Sequence, residues 1–251
     1  MSTKKEIIIS IHLRKTGGST FRSILEKVYG ERYVHIVHTH NLNGVWETIK
    51  NLDFNNIDII HGHFPYGLHR FFPKNIICKY ITFVRDPVER LMSEYNYIRH
   101  YQETIYPYNT KPLIDPNDIG STTEFLQWAA TMDDVGKDNG MTRALAEDRE
   151  SFFCQPSYYV TERIYRSALD NLSDLYFIGI QENFENDLLA LSKKLGWSSI
   201  PEQSRINSFP NRLKAVDLLP MDRSKIEGMQ LYDMNLLEEA KKLNTVMIQE
   251  S

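Results

Sequence analysis

Cysteine is scarce in this chain: among 251 residues only Cys78 and Cys154 carry a thiol. Two such residues exclude a disulfide framework and a four-cysteine zinc site, and predict buried free thiols in a reducing compartment. Long apolar runs are missing as well, since no stretch approaches the ~20 residues of a membrane span. Met1 to Glu6 is polar and leads straight into Ile7, without the apolar core and cleavage site of a signal peptide. These absences predict a cytoplasmic protein with no membrane partner. A basic excess is lacking too: 29 Lys and Arg stand against 33 Asp and Glu, a formal charge of −4, which argues against nucleic acid as a partner. With 41% hydrophobic and 25% charged residues, the chain is neither disordered nor fibrous, and its length permits one large α/β domain over residues 1–251.

The positive charge that is present is unevenly spread. Residues 1–32 hold seven Lys or Arg against three Asp or Glu, whereas residues 115–150 hold three against nine. A local basic site on an acidic body suits a small anionic ligand better than a long polyanion.

Strands alternate with helices along the chain. Glu6 to Leu13 (EIIISIHL) is a β-branched run suited to a buried parallel strand, and it stops at Arg14-Lys15-Thr16-Gly17-Gly18-Ser19-Thr20. Phe21, Ile24, Leu25 and Val28 then fall on one face of a helix whose N-cap is predicted near Ser19. Further strands are predicted over Ile57 to His63, Tyr80 to Val84 and Leu175 to Ile180. Asp86, Pro87 and Glu89 read as a capping box opening a helix with Val88, Leu91, Met92, Tyr95 and Ile98 on its apolar face. Capped helices are also predicted from Ser121, over Tyr159 to Leu172 and over Asn183 to Leu195, with a helical C-terminus. Tyr101 to Asp118, rich in Pro, Tyr and Asn, reads as a surface loop, either covering a site or a plain insertion. The pattern predicts a P-loop-like α/β fold, a central parallel sheet flanked by helices, with ligands at the carboxyl ends of the strands.

Candidate residues gather at those ends. In the loop after the first strand, Gly17 and Gly18 let backbone amides bend toward one point, the helix N-terminus adds partial positive charge, and Ser19 and Thr20 offer hydroxyls, a setting for phosphate or sulfate. A nucleoside-triphosphate P-loop places its lysine after the glycines, but Lys15 precedes them, so the Walker pattern fails on order. Arg85 ends a strand at the same edge and Ser93 follows two helical turns on, so both can converge on a second phosphate, although an Arg-Asp-Pro strand exit also serves as a plain salt-bridged cap. His61 and His63 flank Gly62 on one face of a strand end, where a neutral imidazole can take a proton from a hydroxyl. His35, His38 and His40 lack the carboxylate or cysteine partners of a metal site, and no metal is expected. The aromatic stretch Tyr95 to Tyr108, with Phe64, Tyr66, Phe71 and Phe72, reads equally as core or as a cleft that stacks on acceptor rings.

These motifs resemble a known family. His12-Leu13-Arg14-Lys15-Thr16-Gly17-Gly18-Ser19-Thr20-Phe21 is similar to the 5′-phosphosulfate loop of carbohydrate sulfotransferases, notably the heparan sulfate 6-O-sulfotransferases. Phe83 to Arg90, through Ser93, resembles their 3′-phosphate motif, and His61-Gly62-His63 resembles the His-Gly-His of the 2-O-sulfotransferases. The likeness continues through Phe152-Phe153-Cys154, Tyr176 to Leu191 and Asn207 to Pro220. It implies PAPS (3′-phosphoadenosine 5′-phosphosulfate) as sulfuryl donor and a hydroxyl-bearing acceptor, a saccharide among the candidates. It implies donor contacts from Arg14, Lys15, Thr16, Gly17, Gly18, Ser19, Thr20, Arg85, Ser93 and, in the later loop, Arg212. It further implies His63 as base with His61 as its helper, and Lys15 as stabiliser of the leaving phosphate. A nucleotide kinase or NTPase dependent on Mg²⁺, and a silent nucleotide-binding protein, remain alternatives; oligomeric state is open.

Overall fold

The computed structural model describes residues 4–36, 42–105, 121–131, 136–147, 159–202 and 212–250. Five strands form one wholly parallel sheet in the order β2-β3-β1-β4-β5: β1 (Lys5–Ile11), β2 (Tyr33–Ile36), β3 (Ile59–Gly62), β4 (Ile76–Val84) and β5 (Phe177–Ile180). β1 is central and its Ile7, Ile9 and Ile11 are fully buried, as an isoleucine run covered on both faces requires. In register, Ser10 lies opposite His61, and Ile11 lies opposite Gly62 on one side and Thr82 on the other. The strand ends that carry the basic loop, the histidine pair and Arg85 therefore share one edge.

Helices cover both faces. α1 (Gly18–Tyr29) and α7 (Phe184–Lys194) press Phe21, Ile24, Leu25, Leu188 and Leu191 onto Ile59, Ile81, Phe83 and Phe177. The other face packs α2 (Leu42–Lys50), α5 (Gly140–Leu145), α6 (Glu162–Ser173) and α9 (Leu231–Gln249) against Ile9, Ile60 and Ile178. α3 (Pro87–Ile105), α4 (Thr122–Ala130) and α8 (Pro220–Met229) join in a third cluster around Val88, Leu91, Met92, Tyr95, Phe125 and Ile226.

Several expectations need correcting. The N-cap of α1 is Gly17, in the left-handed region at φ 84°, and no side chain caps the helix, so Ser19 sits inside the first turn. β1 ends at Ile11 because His12 and Leu13 leave the ladder, although the His12 N–H still donates to the Gly62 carbonyl at 2.8 Å. At the start of α3, Asp86 Oδ1 accepts from Val88 N–H at 2.9 Å and Glu89 N–H at 3.0 Å. The reciprocal half of the box is not made: the Asp86 N–H donates to Glu182 at 3.1 Å, and Glu89 turns to Arg85 at 3.5 Å. α3 continues through residues 101–105, where a loop was expected; the rest of that segment, Phe152-Phe153-Cys154 and Asn207 to Asn211 lie outside the described residues. β2, a short and half-exposed edge strand, and α2 and α5 had no sequence counterpart. Cys78 is a half-buried free thiol, pushed up to about 11 by burial, and Cys154 lies outside the described residues. Among the described residues no helix is long and apolar enough to cross a membrane.

Candidate active site

The loop from His12 to Gly17 leaves the central strand and turns into α1 through two left-handed residues, Lys15 at φ 63° and Gly17 at φ 84°. The first helical hydrogen bond runs from Phe21 N–H to the Gly17 carbonyl at 3.1 Å, so the amides of Gly18, Ser19 and Thr20 form the helix's open N-terminal turn. No acidic side chain occupies that turn, which leaves its partial positive charge for an anion. Thr16 is turned inward, 2% exposed, and its hydroxyl donates to the Leu13 carbonyl at 2.9 Å, so that hydroxyl serves the loop rather than a ligand. Ser19 and Thr20 are half-buried on the first turn.

α3 lies against this loop. Arg85, at its approach, donates from Nη1 to the Lys15 carbonyl at 3.1 Å, which joins the first two motifs directly. Arg14 pairs with Glu94, so its charge ties the loop to α3. Lys15 Nζ sits 3.9 Å from the centroid of the Tyr97 ring. Burial pushes Lys15 down to about 8, with repulsion from Arg85 and Arg14 adding to the shift and Glu94 opposing it. Burial likewise lowers Arg85; Glu89 and Glu182 oppose the shift, and repulsion from Arg212 reinforces it. Arg85 Nε is sealed from solvent and has no hydrogen-bond partner among the described residues. Ser93 is half-buried on the second turn of α3, one residue before Glu94.

The histidines form a column across the strand ends. His63 and His12 stack with centroids 4.0 Å apart, His12 and His61 at 5.0 Å, and His61 and His35 at 6.0 Å. His63 Nδ1 lies 2.7 Å from the His12 carbonyl, which can only accept, so Nδ1 carries the proton and Nε2 is the basic nitrogen. His61 differs: it is 1% exposed and its Nδ1 is 2.9 Å from Ser10 Oγ. A sealed ring cannot itself meet an acceptor hydroxyl, and His12 stands between His61 and His63 in the column. Burial and the neighbouring imidazoles hold His12 and His61 well below the usual histidine range. His38 and His40, the other two of the weighed metal trio, lie outside the described residues.

Sequence reasoning missed His12, Glu94 and Tyr97. Tyr97 sits four residues after Ser93, so helical spacing would have placed it on the same face, whereas Glu94, one residue after, is turned away from that face and had no such signal. Gly18 explains His12: a Cβ there would lie 1.7 Å from His12 Nε2, so the helix start and the imidazole occupy adjoining space that only glycine allows. Of the aromatic stretch, Tyr97 lies against Lys15, and Tyr106 and Tyr108 lie outside the described residues. Phe64 and Tyr95 are core, and Tyr66 and Phe72 line a separate cavity of about 430 Å³ with Arg70, Lys74 and the first half of β4.

Comparison with known proteins bears on the fold and the family. No curated protein matches the chain by sequence. Among solved structures, mouse sulfotransferase SULT7A1 complexed with PAP superposes with a TM-score of 0.50 at 11% identity, covering 97% of this chain and 89% of that one, which shows a shared fold. The sequence profile described as the sulfotransferase family matches residues 1–215, a stretch that holds the anion loop, the histidine pair, Arg85, Ser93 and Arg212. On that match the chain belongs to the sulfotransferase family.

Proposed function

We propose that this sulfotransferase moves the sulfuryl group of PAPS to a hydroxyl of a carbohydrate or other small acceptor, giving a sulfate ester and adenosine 3′,5′-bisphosphate. The observation that carries the reading is the Arg85 to Lys15 hydrogen bond, which puts two anion-binding motifs side by side at the edge where His63 stands. The residues fit a donor with two anionic ends. The loop amides, with Lys15, Ser19 and Thr20, suit the 5′-phosphosulfate, and Arg85, whose buried Nε makes no hydrogen bond among the described residues and lies 3.9 Å from Glu182, suits the 3′-phosphate together with Ser93 and Arg212. Arg14 and Thr16 enter this reading through the shape of the loop, since Glu94 and Leu13 engage their side chains.

The donor, when bound, supplies the sulfuryl group. His63 Nε2 takes the proton of the acceptor hydroxyl as its oxygen bonds to sulfur, and the His12 carbonyl holds the ring in the tautomer this requires. Lys15 and the amides of Gly17 and Gly18 neutralise the charge that grows on the departing 5′-phosphate. Positioning and electrostatics do most of the work, as in phosphoryl transfer.

Calorimetric titration with adenosine 3′,5′-bisphosphate and with ATP, each with and without Mg²⁺, tests the reading on wild type and Arg85→Ala. The expected outcome is a metal-independent preference for the bisphosphate that Arg85→Ala weakens by about tenfold or more. Preference for Mg·ATP would establish the kinase alternative instead. Tight binding without transfer of labelled sulfate to any acceptor would mark a silent module.

A further inference from the structure

Asn96 lies in the middle of α3, 8% exposed, among the apolar side chains Met92, Tyr95 and Leu213. A buried carboxamide in such surroundings is costly unless its polar atoms are bonded, and asparagine is a poor helix former, so its presence there calls for a reason. Its bonds supply one. Nδ2 donates to the carbonyl of Met92 at 2.8 Å, within the helix, and to the carbonyl of Leu213 at 2.9 Å. Oδ1 accepts from the N–H of the same Leu213 at 3.1 Å. The side chain thus grips both polar atoms of one backbone residue 117 positions away, as a neighbouring strand would.

The residue next to that grip is Arg212, which is exposed and whose positive charge adds to the lowering of Arg85. Ser93 stands three residues before Asn96 on the same helix, hence on the neighbouring turn. One carboxamide therefore links the helix that carries Ser93 to the segment that carries Arg212.

We propose that Asn96 is a positioning residue for the donor's 3′-phosphate: by clasping the Leu213 backbone it fixes Arg212 beside the turn of α3 that carries Ser93, and so sets the preference for nucleotides bearing that phosphate. This rests on the reading of the site given above. The clasp touches no reacting atom, so it governs donor binding and discrimination and leaves the chemical step alone.

The test compares binding of adenosine 3′,5′-bisphosphate and of 5′-AMP, which lacks the 3′-phosphate, in wild type, Asn96→Ser, Asn96→Ala, Arg212→Ala and the Asn96→Ser/Arg212→Ala double variant. Serine can renew the bond to the Met92 carbonyl one turn back but cannot reach both Leu213 atoms, so it removes the clasp with the least harm to the helix. Asn96→Ser should weaken the bisphosphate by about tenfold, keep 5′-AMP within about twofold, and leave the double variant no weaker than Arg212→Ala. In turnover assays the KM for donor rises while kcat holds. Equal loss of both nucleotides, or additive losses in the double variant, would overturn the proposal and leave Asn96 with a structural role only. Should Asn96→Ala fail to fold, the serine variant carries the test. A wild type that shows no preference for the bisphosphate would overturn the reading of the site before any variant is compared.

Discussion

At the scale of single residues, the site depends on which imidazole faces out and which lysine can lose its proton. His63→Ala should lower turnover by about 10² or more while bisphosphate binding stays near wild type; unchanged turnover would remove His63 from the mechanism. Lys15, held near 8 in the empty protein, should be drawn back toward its ordinary value by a bound anion. Between those two values binding takes up a proton, so bisphosphate affinity should be level between about pH 7, above the second ionisation of the ligand's phosphates, and pH 8, and fall as pH rises further. The same titration on Lys15→Ala should lose this alkaline fall; a fall that persists would assign it to another group. The residue types of the loop, of Arg85 and of His63 were legible in the sequence, because glycines beside cations at a strand end have few other uses. Whether His61 or His63 is reachable was not legible. Alternation puts both on one face, and only the end of β3 at Gly62, one residue before His63, separates a sealed ring from a half-buried one.

At the scale of elements, the anion loop and the histidine column are one construction. The His12 ring leans on Gly18 at the start of α1, while its carbonyl holds His63. Gly18→Ala is therefore expected to push His12 aside and disturb both the loop and the base: bisphosphate affinity and turnover should each fall by about tenfold or more. Loss of turnover with affinity intact would show that the loop is independent of the column. The sequence showed α1 and α3 clearly, since Phe21, Ile24 and Leu25, and Val88, Leu91, Met92 and Tyr95, repeat at helical spacing and are buried as that spacing requires. It did not show where the caps lie. A glycine in the left-handed region starts α1 where a serine was expected, and Asp86 finds the partner for its N–H in Glu182, nearly a hundred residues on, a contact that no local pattern contains.

At the scale of the whole molecule, two buried histidines make stability sensitive to acid. His12 and His61 have folded-state values well below 6.5, whereas the unfolded chain binds their protons from about 6.5 downward. Below that pH the unfolded state holds more protons, so stability falls as pH falls. Thermal unfolding between about pH 7 and pH 5 should show the midpoint dropping, and His61→Asn should flatten the drop; equal slopes in the two proteins would acquit His61. The family match ends at residue 215, yet the helices beyond it are not an appendage. Asp233 of α9, fully buried, pairs with Arg90 of α3 at 3.4 Å and accepts from the N–H groups of Met141 and Thr142. Arg223 of α8 reaches Asp86 at 2.9 Å, at the very start of α3. In our reading residues 1–251 work as one domain, with the C-terminal helices bracing the one that carries Ser93.

The wholly parallel sheet also has a kinetic side. The hydrogen bond from Arg85 to Lys15 spans 70 residues and that from His63 to the His12 carbonyl spans 51, so the first waits for β4 to dock against β1 and the second for β3. Contacts of such long sequence separation form slowly and late. A chain that has collapsed with the crossover to β4 misplaced has no paired anion motifs to offer a nucleotide, so during refolding the gain of bisphosphate binding times the docking of β4.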